Sequence, residues 1–265
     1  MRPLPNWPEG RSVPPVPAFR LDGKKALLTG ATEPWGSVIA HALAEAGADV
    51  AVAGRSHEDT GAAVQAARAA GRTGIQLQLN SDLPEEVEQA VRQVVGELFG
   101  LHILVNCPGA GYARPFGQID EESWQRVFEL NFLAPMRWTR AAGSHMTAQR
   151  YGRIVNFVSV LAERGMANGT ALSATQAALR GLTQSLALEW ARSGVRVNAI
   201  GLGWYDLADQ PAEAQLKEKL VRFLPLRRKG RPVDVASLVV LLASDASDFT
   251  TGQTIYVDGG AMAHA

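Results

Sequence analysis

The chain has 265 residues, 46% of them hydrophobic, and its 26 basic side chains balance its 26 acidic ones. This length and apolar content support a large core, and α/β chains of this size commonly form one domain. The zero net charge argues against a nucleic-acid partner or an anionic membrane surface. The single cysteine, Cys107, excludes an intrachain disulfide and fits a reducing compartment, so we expect a cytoplasmic protein.

Residues 1–20 carry six prolines and show no periodicity, which predicts a Pro-rich N-terminal arm outside the sheet. Such an arm could be a loose tail or could clasp a neighbouring subunit. The prolines interrupt any apolar run, so the segment does not read as a secretory signal. No stretch of the chain approaches the ~18 apolar residues that a membrane span requires.

From Lys24 onward, short aliphatic runs alternate with alanine-rich segments at helical spacing. The pattern predicts strands near 25–29, 49–53, 75–79, 102–106, 152–158, 195–200 and 254–257. It predicts helices near 35–47, 58–70, 84–99, 121–149, 171–192, 212–222 and 232–243. This alternation indicates a parallel sheet covered on both faces, forming one domain over residues 21–265.

The first predicted strand leads into a glycine-containing turn, Gly30-Ala31-Thr32-Glu33-Pro34-Trp35-Gly36, and then directly into a helix. Glycines at this place let the backbone approach a pyrophosphate, and the helix N-terminus supplies N–H donors. Proline, however, brings a ring and no N–H to the phosphate position. A tight turn beside an idle pocket is therefore an open alternative to a working dinucleotide site.

Several motifs then follow in a characteristic order: Asn106-Cys107-Pro108-Gly109, a strand ending at Ser159, VNAIGLG ending at Gly203, and TGQTIYVDGG near the C-terminus. Together with the glycine turn, they resemble the short-chain dehydrogenase/reductase family over about residues 21–262. The resemblance implies a single doubly wound Rossmann-type domain with a mainly parallel seven-stranded sheet and helices on both faces. It implies NAD(P) as cofactor and eight cofactor-binding positions: Gly30, Thr32, Gly36, Arg55, Asn80, Asn106, Gly109 and Gly203.

Arg55 stands where the family distinguishes NAD from NADP. An arginine there attracts the 2′-phosphate and slightly favours NADP, whereas Glu33 in the turn would repel it. An ordinary solvated arginine is the other interpretation of this residue. After the third strand the family places an aspartate near the adenine, and Asn80 or Asp82 is the candidate. Dinucleotide binding could also be lost altogether, because Pro34 replaces the middle glycine.

The resemblance implies that Ser159 polarises a substrate carbonyl. In the family a tyrosine follows 13 residues later and a lysine four residues after that, but here those positions hold Leu172 and Gln176. The flanking sequence AALRGLT at 177–183 keeps the register. Leucine has no proton to give and glutamine carries no charge. A positioned general acid contributes ~10²–10⁴ in rate, so we expect weak or no NAD(P)-dependent redox activity.

The candidate catalytic set is polar: Ser159, Asn131, Tyr112 and Tyr205. Asn131 matches the family asparagine that orders a water, although it could equally be a helix residue bonding the backbone. Three functions stay open: a binding or partner subunit, a lyase, isomerase or dehydratase that uses Ser159, and an oxidoreductase with a relocated general acid.

A small-molecule ligand is expected in the cleft at the C-terminal edge of the strands. The predicted assembly is a homotetramer or homodimer, or a hetero-oligomer with an active homologue. The five histidines are scattered without ligand spacing, so no metal site is predicted. Cys107 is interpreted as a small buried filler.

Overall fold

The computed structural model describes residues 19–32, 34–79, 82–107, 109–208 and 210–263. Most of the predicted arm, residues 1–18, lies outside the described residues. Glu33, Asn80 and Pro108 also lie outside them, so the roles predicted for Glu33 and Asn80 stay predictions.

Strands and helices alternate along the described chain. The strands are β1 Lys25–Thr29, β2 Asp49–Gly54, β3 Gly74–Gln78, β4 Ile103–Asn106, β5 Gly152–Ser159, β6 Val195–Leu202 and β7 Thr254–Val257. The helices are α1 Trp35–Glu45, α2 His57–Ala69, α3 Pro84–Leu98, α4 Glu121–Phe128, α5 Ala134–Ala148, α6 Thr170–Trp190, α7 Ala212–Gln215, α8 Lys219–Phe223 and α9 Val233–Ala243.

The seven strands form one sheet in the order β3-β2-β1-β4-β5-β6-β7, and every described pair is parallel. This confirms the predicted doubly wound Rossmann-type fold. Helices α1, α2 and α9 contribute to the core on one face of the sheet, and α3, α5 and α6 to the core on the other. Cover on both faces leaves the central strands β1, β4 and β5 almost continuously buried.

The predicted helix at 121–149 is interrupted in the structure. A π-helical turn, Glu129–Leu133, separates α4 from α5. Pro135 has no N–H to donate to the carbonyl of Asn131, so the regular ladder is broken there and a π turn accommodates the break. The side-chain Nδ2 of Asn131 donates to the carbonyl of Val127 at 3.0 Å and stabilises this turn.

The predicted helix at 212–222 is also divided, into α7 and α8. After Gln215 the backbone closes into tight turns, with the Glu218 N–H donating to the Gln215 carbonyl at 3.0 Å. The Gln215 side chain is held by the Asp206 carboxylate at 3.2 Å and by the Lys229 N–H at 3.0 Å. These side-chain bonds hold Gln215 against Asp206 and Lys229, and α7 ends at this residue.

Strands β1 and β4 are neighbours in the sheet, and the chain leaves them towards opposite sides. Such a switch point opens a crevice beyond the C-terminal ends of the strands, which is where open α/β sheets bind ligands. The topology therefore places the turn after β1, the residues after β4 and Ser159 along one edge.

Buried polar side chains connect the strands beneath this edge. The Thr29 hydroxyl donates to Asn106 Oδ1 at 2.8 Å, and Asn106 Nδ2 donates to Asn156 Oδ1 at 2.7 Å and to Thr139 Oγ1 at 3.0 Å. Asn156 Nδ2 in turn donates to the Thr183 hydroxyl at 2.9 Å. This chain of bonds links β1, β4, β5 and α6, and buried polar groups need such partners to be tolerated.

Replacing Asn106→Leu tests the importance of this network. The change leaves the Thr29 hydroxyl and the Asn156 carbonyl oxygen buried without their present partner, at ~1–3 kcal/mol each. We expect chemical denaturation to show a free energy of unfolding lower by about 2–6 kcal/mol. Gln93→Leu, at an exposed position on α3, is the control and should stay within ~0.5 kcal/mol of the unmodified protein. An equal decrease in the free energy of unfolding of the two variants would contradict the network's structural role.

Candidate functional site

A cavity of about 360 Å³ lies at the switch point. This volume falls within the ~300–1,000 Å³ range of small-molecule sites. Its wall comes from the C-terminal ends of β1, β2 and β4, from the segment after β3, and from the π turn and the start of α5. The residues that line the cavity are Thr29, Gly30, Ala31, Thr32, Ala53, Gly54, Arg55, Thr60, Leu79, Asp82, Cys107, Gly109, Ala110, Leu130, Ala134, Pro135 and Trp138.

The structure brings four of the predicted cofactor positions into this wall: Gly30, Thr32, Arg55 and Gly109. Of the two candidates after β3, Asp82 lines the cavity and Asn80 lies outside the described residues. Gly36, Asn106 and Gly203 are described but are not part of the wall. Asn106 instead serves the buried network, and a Cβ on Gly203 would lie 2.8 Å from Asp258 Cα.

The turn after β1 is closed by its own hydrogen bonds. The Thr32 N–H donates to the Gly30 carbonyl at 2.9 Å, and the Gly36 N–H donates to the Thr32 carbonyl at 3.0 Å. Gly30 has a φ of +61°, and a Cβ on Gly36 would lie 2.5 Å from the Ala31 carbonyl oxygen. Both glycines are therefore required by the turn itself.

Trp35 is 4% exposed and lies in the core rather than in the cavity wall. Its ring centroid is 5.8 Å from that of Phe157 and 5.1 Å from that of Tyr205. The Tyr205 hydroxyl donates to the Val257 carbonyl at 2.8 Å. These rings, which we call the aromatic cluster (Trp35, Phe157 and Tyr205), join the turn after β1 to the ends of β5 and β7.

Tyr205, a predicted cleft residue, is therefore already engaged. Burial, with the negative charges of Asp234 and Asp258, raises the pKa of its phenol well above the ordinary value. A raised pKa keeps the hydroxyl protonated, which suits its bond to the carbonyl of Val257. A phenol in this setting contributes packing and a structural hydrogen bond rather than an accessible acid.

Arg55 and Asp82 face each other at the edge of the cavity. The Arg55 guanidinium is 3.6 Å from Asp82 Oδ2. The other carboxylate oxygen, Oδ1, accepts a hydrogen bond from the Trp138 indole at 3.0 Å. Arg137 donates to the Asp82 carbonyl at 3.0 Å. The carboxylate is thus held in place by the start of α5, and it forms an ion pair with the arginine, whose side chain is largely exposed.

Ser159 and Gln176 meet at the end of β5. The Ser159 N–H donates to Gln176 Oε1 at 2.8 Å, and the Ser159 hydroxyl oxygen accepts from the Leu161 N–H at 3.2 Å. Gln176 is buried, with 5% exposure, so it acts as a clamp on the backbone. The serine hydroxyl caps the short turn that follows it, and its own proton can still be given to an acceptor.

Leu172 lies one turn before Gln176 on α6 and is partly buried. Residues four apart share a helix face, so the two side chains are directed towards the same side of α6. This pair offers one apolar side chain and one neutral amide. The pair can shape a binding surface but has no group that titrates near neutral pH.

Two polar atoms near the turn after β4 are buried and lack a hydrogen-bond partner among the described residues: Asn131 Oδ1 and the Tyr112 hydroxyl. A Cβ on Gly109 would overlap Asn131 Oδ1, so glycine is needed where this loop crosses the π turn. Buried oxygens of this kind are normally satisfied by a water or a ligand.

Cys107 lines the cavity and is buried. Burial raises the pKa of its thiol far above the usual range, so the thiolate is strongly disfavoured. Its short apolar side chain therefore serves as part of the wall.

Several residues of the wall gave no signal in the sequence. Trp138 and Pro135 belong to α5, which follows all four strands whose ends contribute to the cavity, and no motif marks them. Leu79 follows β3, and Thr60 lies in the first turn of α2. No motif spacing marks either residue. Only the strand order could have placed these residues together, because all of them lie beside the C-terminal edge.

Among the described residues, no group of three or more His, Cys, Asp or Glu side chains is arranged to hold a metal ion. In the same part of the chain, no helix has the length and apolar character needed to cross a membrane.

Comparison with known proteins gives a consistent match. The family described as enoyl-(acyl carrier protein) reductase matches residues 30–262. A 2-dehydro-3-deoxy-D-gluconate 5-dehydrogenase of Bacillus subtilis is 36% identical over 250 residues, covering 92% of this chain and 96% of the relative. A 3-oxoacyl-(acyl-carrier-protein) reductase of Staphylococcus aureus is 36% identical over 241 residues, covering 89% and 97%.

Solved structures of short-chain dehydrogenases are also similar to this chain over most of its length. A gluconate 5-dehydrogenase from Burkholderia cenocepacia, in complex with NADP and tartrate, superposes with a TM-score of 0.85 at 28% identity, covering 94% of this chain and 99% of that one. A short-chain type dehydrogenase/reductase from Mycobacterium marinum gives a TM-score of 0.83 at 30% identity, covering 92% and 96%.

The bond between Ser159 and Gln176 generates a stability prediction. In Gln176→Ala the Ser159 N–H loses its acceptor, and a buried donor without a partner costs ~1–3 kcal/mol. We expect the free energy of unfolding to fall by that amount in chemical denaturation. Gln184→Ala, at an exposed site of the same helix, is the matched control and should change stability by less than ~0.5 kcal/mol. Similar free energies of unfolding for the two variants would show that the Gln176–Ser159 hydrogen bond does not stabilise the fold.

Proposed function

Because the chain belongs to the short-chain dehydrogenase/reductase family, we propose that it is a nucleotide-binding member with weak or no NAD(P)-dependent carbonyl or alcohol redox activity. The observation that carries the proposal is the contact between Gln176 and Ser159. At the position where the family places a lysine, this chain has an uncharged side chain committed to a backbone N–H.

The chemistry of the two positions supports this proposal. Reduction of a carbonyl produces an alkoxide that must be protonated, and a positioned general acid supplies ~10²–10⁴ in rate. Leu172 cannot supply that proton. Gln176 has no charge with which to lower the pKa of a neighbouring acid. Ser159 can still hydrogen-bond an oxygen of a small ligand, but a serine hydroxyl is a poor acid.

Nucleotide binding is supported by the cavity at the switch point, where related folds bind such ligands. Its wall includes the turn after β1 and the residues after β2, β3 and β4. The exposed guanidinium of Arg55 at its edge slightly favours a 2′-phosphate, hence NADP over NAD. The Burkholderia cenocepacia relative was solved with NADP, which agrees with this ligand class.

A second candidate function is favoured by the buried oxygens of Asn131 and Tyr112. A polar small molecule that reached both atoms would satisfy them, and Ser159 could hold a further oxygen. An enzyme of another class, such as a lyase, isomerase or dehydratase, could work in this way. An oxidoreductase with a relocated acid would use the Tyr112 phenol as the proton donor.

The assembly proposed for the chain follows from the same interpretation. A member of the family without its own proton donor suits a binding or partner subunit. Such a subunit would form a homodimer or homotetramer, or pair with an active homologue that carries the tyrosine and lysine.

The proposal predicts a turnover result. With NADPH or NADH and a set of carbonyl compounds, including a 2-keto-3-deoxy sugar acid and a 3-oxoacyl thioester, we expect oxidation of the nicotinamide at least ~10²-fold slower than by a homologue with the intact tyrosine and lysine. The loss of nicotinamide absorbance measures the rate. The Bacillus subtilis relative, assayed in parallel on its named substrate, is the reference.

Turnover comparable with the reference would overturn the proposal. In that event Tyr112→Phe separates the remaining mechanisms. Loss of activity with unchanged nucleotide affinity would identify Tyr112 as a relocated acid, whereas unchanged activity would exclude it.

A further inference from the structure

His102 joins three strands at the N-terminal edge of the sheet, opposite the edge that carries the cavity. Its backbone N–H donates to the Lys25 carbonyl at 2.8 Å, and its carbonyl accepts the Arg153 N–H at 2.9 Å. Its imidazole Nδ1 accepts the Lys25 N–H at 3.1 Å. The first amide of β1 is therefore satisfied by a side chain and not by a backbone carbonyl.

The hydrogen bond fixes the protonation state of this imidazole. An Nδ1 atom that accepts from an N–H carries no proton, so the ring of His102 is neutral, with its proton on Nε2. The ring is confined, because a Cβ on Gly100 would lie 3.1 Å from Cε1 and the Tyr151 ring meets it edge-on, with 5.8 Å between centroids. In an imidazolium both nitrogens are donors, so protonation would turn this hydrogen bond into a contact between two N–H groups.

Two lysine side chains are held near the same ring. Lys24 Nζ lies 3.7 Å from the Tyr151 ring centroid and 3.6 Å from Asp245 Oδ2. Lys25 Nζ is 2.6 Å from Asp49 Oδ2. These partners restrain both ammonium groups, so an imidazolium formed here would meet cations that are not free to move away.

The carboxylates on this side of the sheet are engaged with other groups. Asp245 accepts from the Tyr151 hydroxyl at 2.8 Å and from Arg153 at 3.0 Å. The Arg153 guanidinium also donates to Asp248 at 3.1 Å. A further titratable neighbour is His145 on α5, whose Nε2 is buried without a hydrogen-bond partner among the described residues. The surroundings therefore offer His102 more positive charge than free negative charge.

The pKa of His102 follows from these surroundings. Burial lowers the pKa of its imidazole. The positive charges of Lys24, Lys25 and His145 lower it further. A histidine whose pKa is depressed by folding stabilises the protein above its unfolded-state pKa of ~6.5. That contribution is lost as the pH falls below this value towards the folded-state pKa.

We propose that His102 makes the N-terminal end of β1 sensitive to acid: the neutral imidazole holds the Lys25 N–H, and protonation releases this amide and loosens the start of the strand. Leu21, four residues earlier, is fully buried, and its N–H donates to the Ala46 carbonyl at 2.8 Å. The segment before β1 thus has an attachment of its own. The opening is confined to the place where this segment enters the sheet.

Hydrogen exchange measured by NMR on the full chain tests the proposal at the amide concerned. After correction for the intrinsic exchange rate, we expect the protection of the Lys25 amide to fall at least ~fivefold between about pH 7.5 and about pH 5, relative to the Leu27 amide in the middle of β1. The reason is that only the Lys25 amide depends on an acceptor that titrates in this range. An unchanged ratio of the two protection factors would overturn the proposal.

His102→Asn separates the hydrogen bond from the charge. The Oδ1 atom of asparagine can replace Nδ1 as an acceptor, and it takes up no proton in this pH range. From about pH 7.5 to about pH 5, we expect the unfolding equilibrium constant of the unmodified protein, measured by chemical denaturation, to rise at least ~fivefold more than that of the variant. His41→Asn, at an exposed histidine of α1, is the matched control and should keep the pH dependence of the unmodified protein within about twofold.

The same pH dependence in His102→Asn and in the unmodified protein would overturn the proposal. If that variant does not fold, the exchange ratio of the Lys25 and Leu27 amides in the unmodified protein decides.

Discussion

Trp35 packs against Phe157 and Tyr205, and this contact anchors the turn after β1 to the core of the sheet. Each buried aromatic side chain removes ~150–250 Å² of surface from water, so the cluster resists rearrangement. It ties the start of α1 to β5 and to the segment after β6. The cavity therefore lies beside a turn whose last residues are fixed by packed rings in the core.

Several residues of the family motifs have structural roles that need no cofactor. Gly36 allows α1 to approach Ala31, Asn106 joins the strands through the buried network, and Gln176 holds the backbone of Ser159. Folding alone therefore gives a reason for these residues to be present. Reaction chemistry must be argued from groups that can move a proton, and Leu172 and Gln176 do not supply one.

The regular part of the fold could be predicted from the sequence, because apolar periodicity and helix spacing are local signals. The break at Glu129–Leu133 was missed since its apolar pattern continues through the π turn; only Pro135 marked it. The cavity was predicted in part, through Gly30, Thr32, Arg55 and Gly109. The contact of Trp35 with Tyr205 joins residues far apart in the chain, and no local pattern encodes such a distance.

The central claim is that the positions of Leu172 and Gln176 supply no group that can protonate a substrate oxygen. The double substitution Leu172→Tyr with Gln176→Lys tests it most directly, because it restores the two residue types that the family places there. We predict that the double variant oxidises NADPH with a carbonyl substrate at least ~10²-fold faster than the unmodified protein. Equal rates for the two proteins, both folded and both binding NADPH, would contradict the claim.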